Sequence, residues 1–271
     1  LMTFPGYFKD HILPDELDSL SLSFLTDSMT RQRGGTAANT AYNYALLGGK
    51  GTVFGTVGHD FSKYRPYLDD VGVDTSRIVE ISDEFTASFF ANTDLNNAQI
   101  ASFYPGAMSR AAQLKLSDLP FTPDLVVISP DDPGAMRARV RECQESSIPY
   151  LYDPSQQIVS MELEDLHAGI TGAHMILVNA YEFSLIEQKL GLDEEGIADN
   201  CAVLGITRGK HGAVILAQGR REETPAFPTE DVRDPTGAGD AFRGGFLRGV
   251  AVDLSWEMCG LVGSLAATYC L

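Results

Sequence analysis

From about residue 120 onward, short apolar runs alternate with stretches long enough to form helices. Asp124–Ile128, Pro149–Tyr152, His174–Val178, Ala202–Ile206 and Ala213–Ala217 are nearly continuous in apolar residues rather than alternating. That is the pattern of strands buried on both faces. Strand, helix and strand repeated in this order predict an α/β fold: a mostly parallel central sheet with helices on both faces. Ahead of residue 120 the pattern changes. Ser21–Thr26, Ala87–Asp94 and Gln99–Tyr104 read as short strands of mixed polarity, the last two parted by the polar turn Leu95-Asn96-Asn97. They predict a small separate β lid, contributed by about 1–26 and 84–105. Leu1–Gly6 reads as the end of a strand entering a loop, and Cys270-Leu271 falls inside a helical pattern, so both ends read as lying within the domain. With no repeat and no Pro-, Gly- or Ser-rich linker, residues 1–271 are expected to form one domain with a lid.

Asp153, Asn179 and Thr207 each follow directly on an apolar strand. In an open parallel sheet, ligands collect outside the carboxyl ends of the strands. Three polar residues in that location suggest one cleft built from three strand ends, although strand ends call for polar turn residues in any case.

Composition narrows the partners. The chain has 271 residues, 44% hydrophobic and 21% charged, with a formal net charge of −17. A surface so acidic repels nucleic acid and anionic membrane. It repels ATP as well, so a nucleotide site would need backbone amides, a few basic side chains and a divalent cation. Cys143, Cys201, Cys259 and Cys270 form no CxxC pair, which points to a reducing, cytoplasmic setting without disulfides or zinc.

The sharpest segment is Asp234-Pro235-Thr236-Gly237-Ala238-Gly239-Asp240-Ala241-Phe242, followed by Arg243-Gly244-Gly245-Phe246. Gly237-Ala238-Gly239 lets backbone approach a ligand, and a helix beginning near Asp240 would present its first N–H groups to an anion. A carboxylate at the same place is suited to accept a proton from a hydroxyl that attacks phosphorus. A plain glycine turn with an N-cap would look similar in a shorter stretch. Neither GxxxxGK[ST] nor a full GxGxxG is present, since Phe242 stands where the third glycine belongs. The second segment, Gly34-Gly35-Thr36-Ala37-Ala38-Asn39-Thr40-Ala41, leads into a helix that stops at Gly48-Gly49. Its glycines would bring backbone against a substrate, and Asn39 offers both a donor and an acceptor. It would equally serve as a turn before a packed helix.

GGxxxN early and DPTGAGDAF late resemble the two signatures of the ribokinase (PfkB) family of carbohydrate and nucleoside kinases, over nearly the whole chain. The resemblance implies that Asp240 is the catalytic base and that the amides of Gly237, Ala238 and Gly239 hold charge on the transferring phosphoryl group. It implies a nucleotide site at Asn179, Thr207, Gly209 and Gly212, and Mg²⁺ organised by Glu182, often through water. Asp234 stands where some members bind a monovalent cation such as K⁺. Asp153-Pro154-Ser155-Gln156-Gln157 looks like the version in bacterial adenosine kinases, where sugar kinases usually carry DPN. In that subgroup two lid aromatics sandwich the purine and glutamines meet its polar edge, which here implies Phe89 and Phe103 with Gln156 and Gln157. Phe89 and Phe103 would alternatively be lid core. Residues 36–38 are bulkier than in the usual Gly-rich version, and the stretch around Arg220–Glu223 is short for the family. The expected activity is ATP-dependent phosphorylation of a nucleoside, adenosine first. A sugar kinase of the same family and a ligand-binding homologue without turnover are the alternatives. Lid pairing between subunits in this family implies a homodimer.

Overall fold

A computed structural model describes residues 1–12, 18, 21–229 and 235–271. The main sheet has six strands. β7 (Val126–Ile128), β8 (Tyr150–Tyr152), β9 (Ala173–Asn179) and β10 (Cys201–Thr207) are parallel neighbours. β11 (Ala213–Ala217) and β12 (Arg220–Thr224) extend the β10 edge antiparallel. Side chains alternate across the sheet, and both faces are covered. Tyr150, Tyr152, Ile176, Val178, Leu204 and Ile206 pack with Met136, Leu166, Phe183 and Ile186. The intervening residues Leu151, Met175, Leu177 and Val203 pack with Phe242, Phe246 and Cys259. Burial on both sides is why these strands carry continuous apolar runs.

Helices α3 (Pro133–Glu145), α4 (Leu163–Ile170), α5 (Ala180–Leu190) and α6 (Glu194–Ala198) cover the first face. The second is covered by α7 (Ala238–Ala251) and α8 (Trp256–Cys270). Local chemistry sets several ends. Asp132 caps α3 ahead of Pro133, and Gly191, at φ 66°, stops α5. β12 was not expected from the sequence. Arg-Arg-Glu-Glu carries almost no apolar signal, but a charged strand at a sheet edge discourages edge-to-edge pairing. It is reached through a two-residue turn with positive φ at both Gln218 and Gly219, the hairpin geometry that matches strand twist.

The amino-terminal third is built separately. α1 (Thr36–Leu46) and α2 (Arg65–Asp69) pack on a parallel pair, β3 (Gly55–Gly58) and β4 (Ile78–Ile81), around Val57, Leu68 and Ile78. A four-stranded sheet of order β2-β1-β5-β6 stands beside them: β1 (Met2–Thr3), β2 (Ser28–Met29), β5 (Ser88–Thr93) and β6 (Gln99–Tyr104). The strand expected at Ser21–Thr26 lies instead at Ser28–Met29. Phe24 leaves the strand pattern to join Phe4 and Phe8 in an aromatic cluster. Asp94 fixes the β5–β6 turn by accepting from the N–H groups of Asn96, Ala98 and Phe8. Among the described residues, no helix is long and apolar enough to cross a membrane.

Candidate active site

Two helices far apart in sequence bring the main pair together. Asn39, in the first turn of α1, donates from Nδ2 to Asp240 Oδ2 at 2.8 Å. The helices meet at Gly244, where a Cβ would come within 2.7 Å of Asn43 Cβ and 2.9 Å of the Thr40 carbonyl. Only glycine allows that approach. Asn43 in turn donates to the Asn39 carbonyl at 2.9 Å. Asp240 is largely enclosed. Burial raises its carboxyl pKa, the Asn39 hydrogen bond and the Arg243 guanidinium pull it back down, and Glu182 raises it.

Gly237 caps α7 at φ 88°, in the left-handed region that favours glycine, and a Cβ there would lie 3.9 Å from Asn39 Nδ2. The turn therefore delivers the N-terminus of α7 next to the Asn39–Asp240 pair. The Ala238 N–H is drawn back to the Pro235 carbonyl at 3.2 Å. Gly34 and Gly35 are exposed, with Gly35 at φ 100° capping α1. Tyr64 ties this loop down by donating to the Gly34 carbonyl at 3.1 Å, and burial pushes its hydroxyl pKa up to about 12. Asp234 lies outside the described residues.

The three strand-end residues do converge. Asn179 and Thr207 are register partners on β9 and β10, and Asp153 follows β8, the other neighbour of β9. Asp153 is fully buried and bonds Arg243 Nη2 at 2.7 Å; burial raises its pKa to about 7, against the pull of Arg243. Asn179 caps α5 and Glu182 caps it reciprocally: Asn179 Oδ1 accepts from the Glu182 N–H, and Glu182 Oε2 accepts from the Asn179 N–H, both at 2.8 Å. Ser155 Oγ donates to Glu182 Oε1 at 3.0 Å.

Residues 9–271 match the pfkB family carbohydrate kinases. The chain belongs to the PfkB family. A nucleoside kinase of Burkholderia thailandensis, solved in complex with inosine, is 35% identical and superposes with a TM-score of 0.88, covering 98% of this chain and 86% of that one. The same protein has been solved in complex with ADP-inosine, at 37% identity and a TM-score of 0.84. A nucleoside kinase of Methanothermobacter thermautotrophicus is 30% identical over 263 residues, 94% of this chain and 83% of that protein.

Within this PfkB chain the remaining candidates divide. Gln156 is exposed on the short 3-10 helix Ser155–Val159 that follows β8. Gln157 is turned to structural use, donating to the Asp131 carbonyl at 2.9 Å and accepting from Ser160 Oγ at 2.9 Å. Gly209, at φ 55°, opens the turn after β10, whereas Gly212 is required by packing, since a Cβ there would lie 1.9 Å from the Thr224 carbonyl. Phe89 and Phe103 are direct partners across β5 and β6 and remain 56% and 49% exposed, so they are not lid core. Among the described residues, no hydrogen bond or ring contact joins them to Gln156 or Asp240.

Among the described residues no three His, Cys, Asp or Glu side chains converge to hold a metal ion. Glu182 has both oxygens engaged within the protein. With both oxygens already accepting, Glu182 would meet a magnesium ion through water rather than directly, as an ion that keeps several waters allows. Two residues escaped the sequence reading. Asp131, behind β7, has its carboxyl pKa raised by burial to about 6, and could have been found by the strand-end rule applied to a fourth strand. Arg243 stands three residues after Asp240, a helical spacing that alone puts its charge beside that carboxylate.

Proposed function

We propose that this chain is an ATP-dependent kinase that phosphorylates the 5′-hydroxyl of a nucleoside, adenosine first. The observation that carries the reading is the Asn39–Asp240 bond set against the N-terminus of α7. Asp240 accepts the proton of the attacking hydroxyl through Oδ1, while Asn39 holds Oδ2. The Gly239 and Asp240 amides, with Gly237 and Ala238 shaping the turn, take up charge on the transferring phosphoryl group. General-base catalysis contributes about 10²–10⁴-fold, and each donor to developing charge about 10²–10³-fold. Thr207, Asn179 and Gly209 border the nucleotide side. Glu182 would hold magnesium there through water, and the ion, when bound, would neutralise charge on the phosphates.

A nucleoside is favoured over a bare sugar by the paired, exposed Phe89 and Phe103 and by exposed Gln156. Flat faces and amide edges suit a purine. The inosine complexes of the Burkholderia protein support the same class. A sugar kinase is the second reading, supported by a rice fructokinase-2 that is 27% identical over 245 residues. ADP release with Mg·ATP, measured against adenosine, inosine, guanosine, cytidine, ribose and fructose, separates them. Adenosine turnover well above the sugars, lost in Gln156→Ala, is the expected result. Turnover with a sugar alone, indifferent to Gln156→Ala, would move the assignment to the second reading. ATP binding without any ADP would leave a silent homologue.

A further inference from the structure

Arg243 is a buried cation to which the reading above gives no part. It is the sixth residue of α7, 7% exposed, and its guanidinium faces three carboxylates from three elements. Nη2 donates to Asp153 Oδ1 at 2.7 Å and lies 3.9 Å from Glu182 Oε2, while Nη1 lies 3.6 Å from Asp240 Oδ1. Room for it depends on Gly239, where a Cβ would stand 3.0 Å from Nη1.

We propose that Arg243 is a positioning residue for phosphoryl transfer: anchored on Asp153, it holds Asp240 in place against Asn39 and ties it to the start of α5. The distances rank the contacts. The short bond to Asp153 fixes the guanidinium, and the longer approach to Asp240 leaves Oδ1 without a tight donor. A closer arginine would compete for the oxygen that must take the proton. A more distant one would leave a buried carboxylate among Glu182 from α5 and Asp153 from the end of β8, with only Asn39 from α1 to offset them. Tyr64, held by Gly34, also feels the Asp240 charge. Lysine keeps the charge but cannot span two carboxylates with a planar fork.

This inference rests on Asp240 acting as the base. Its test uses Arg243→Met, Arg243→Lys and the double variant Asp153→Asn/Arg243→Met, which leaves no orphaned carboxylate at position 153. Two quantities are read: kcat and KM across about pH 6 to pH 9, and the Asp240 carboxyl titration by ¹³C NMR without substrates, the signal identified by its absence in Asp240→Asn. Loss of a neighbouring opposite charge shifts an Asp titration by about one unit or more. Arg243→Met should therefore raise the Asp240 midpoint by about one unit and move the acid limb of the kcat profile up by the same amount, with KM within about threefold. The loss of kcat should shrink as pH rises, and Arg243→Lys should recover part of it. The double variant should keep part of the raised midpoint, since it removes the Asp153 charge as well.

A kcat loss equal at every pH, or an unmoved Asp240 midpoint, would make Arg243 a mere counter-ion to Asp153 and overturn the proposal. So would a double variant with the wild-type profile. A wild-type protein that releases no ADP with any nucleoside or sugar refutes the proposed function instead. The NMR titration needs no turnover and still decides whether Arg243 governs Asp240.

Discussion

β8–β10 and the β5–β6 hairpin are both short strands rich in aliphatic and aromatic residues, and they put those residues to opposite uses. Leu151, Ile176 and Leu204 are fully buried between helices, whereas every residue of β6 is exposed and Phe89 keeps more than half its surface. Apolar side chains in the main sheet hold the fold together. Those on the small four-stranded sheet, the lid of the proposed function, offer an apolar surface that a monomeric protein rarely leaves idle.

The sharpest way to break this contrast is stability. Leu204→Ala should cost about 2–5 kcal/mol, because a filled core site becomes a cavity. Ile100→Ala on the lid should stay within about 0.5 kcal/mol in the same denaturant melt. Equal losses would make the lid a second core. Next in size, Asp240→Asn should lower kcat at least about a hundredfold while ATP still binds, measured by ADP release and calorimetry. An active Asp240→Asn protein would remove Asp240 as the base.

Phe103→Ala sharpens the other half. It should raise the nucleoside KM about tenfold, near the worth of one aromatic contact, with ATP affinity and melting unchanged. The last prediction concerns Asp131. Its pKa is raised by burial from 3.8 to about 6, so the folded state holds its proton more tightly than the unfolded chain. The stabilisation is complete below about pH 4 and is lost as pH rises through about 6. Asp131→Asn should flatten that part of the melting curve. A curve unchanged by the substitution would show that Asp131 does not titrate there.

The same contrast explains what the sequence made legible. Where both faces are buried, hydrophobicity and structure coincide, so Tyr150–Tyr152 and Ala213–Ala217 could be read within a residue or two. At edges and on the lid the burial constraint weakens. The charged strand Arg220–Thr224 carried no signal, and the strand at Ser28–Met29 was sought several residues too early. In the site, Asp240 and Asn39 were legible because glycines mark their turns. The hold of Arg243 on three carboxylates was not, because it exists only once β8, α5 and α7 are side by side. Gln157 shows the reverse: an amide that looked like a ligand donor is spent on the Asp131 carbonyl.

Gly244 seats α1 against α7 so closely that Asn39 and Asp240 cannot be displaced separately. On the proposed function, proton acceptance is thus welded into the interior, while the surface that would meet the acceptor molecule hangs on a hairpin whose side chains support little else. By the same proposal, exchanging residues at positions such as 89 and 103 would change the substrate preference without renegotiating the chemistry, with tool and handle kept on different parts.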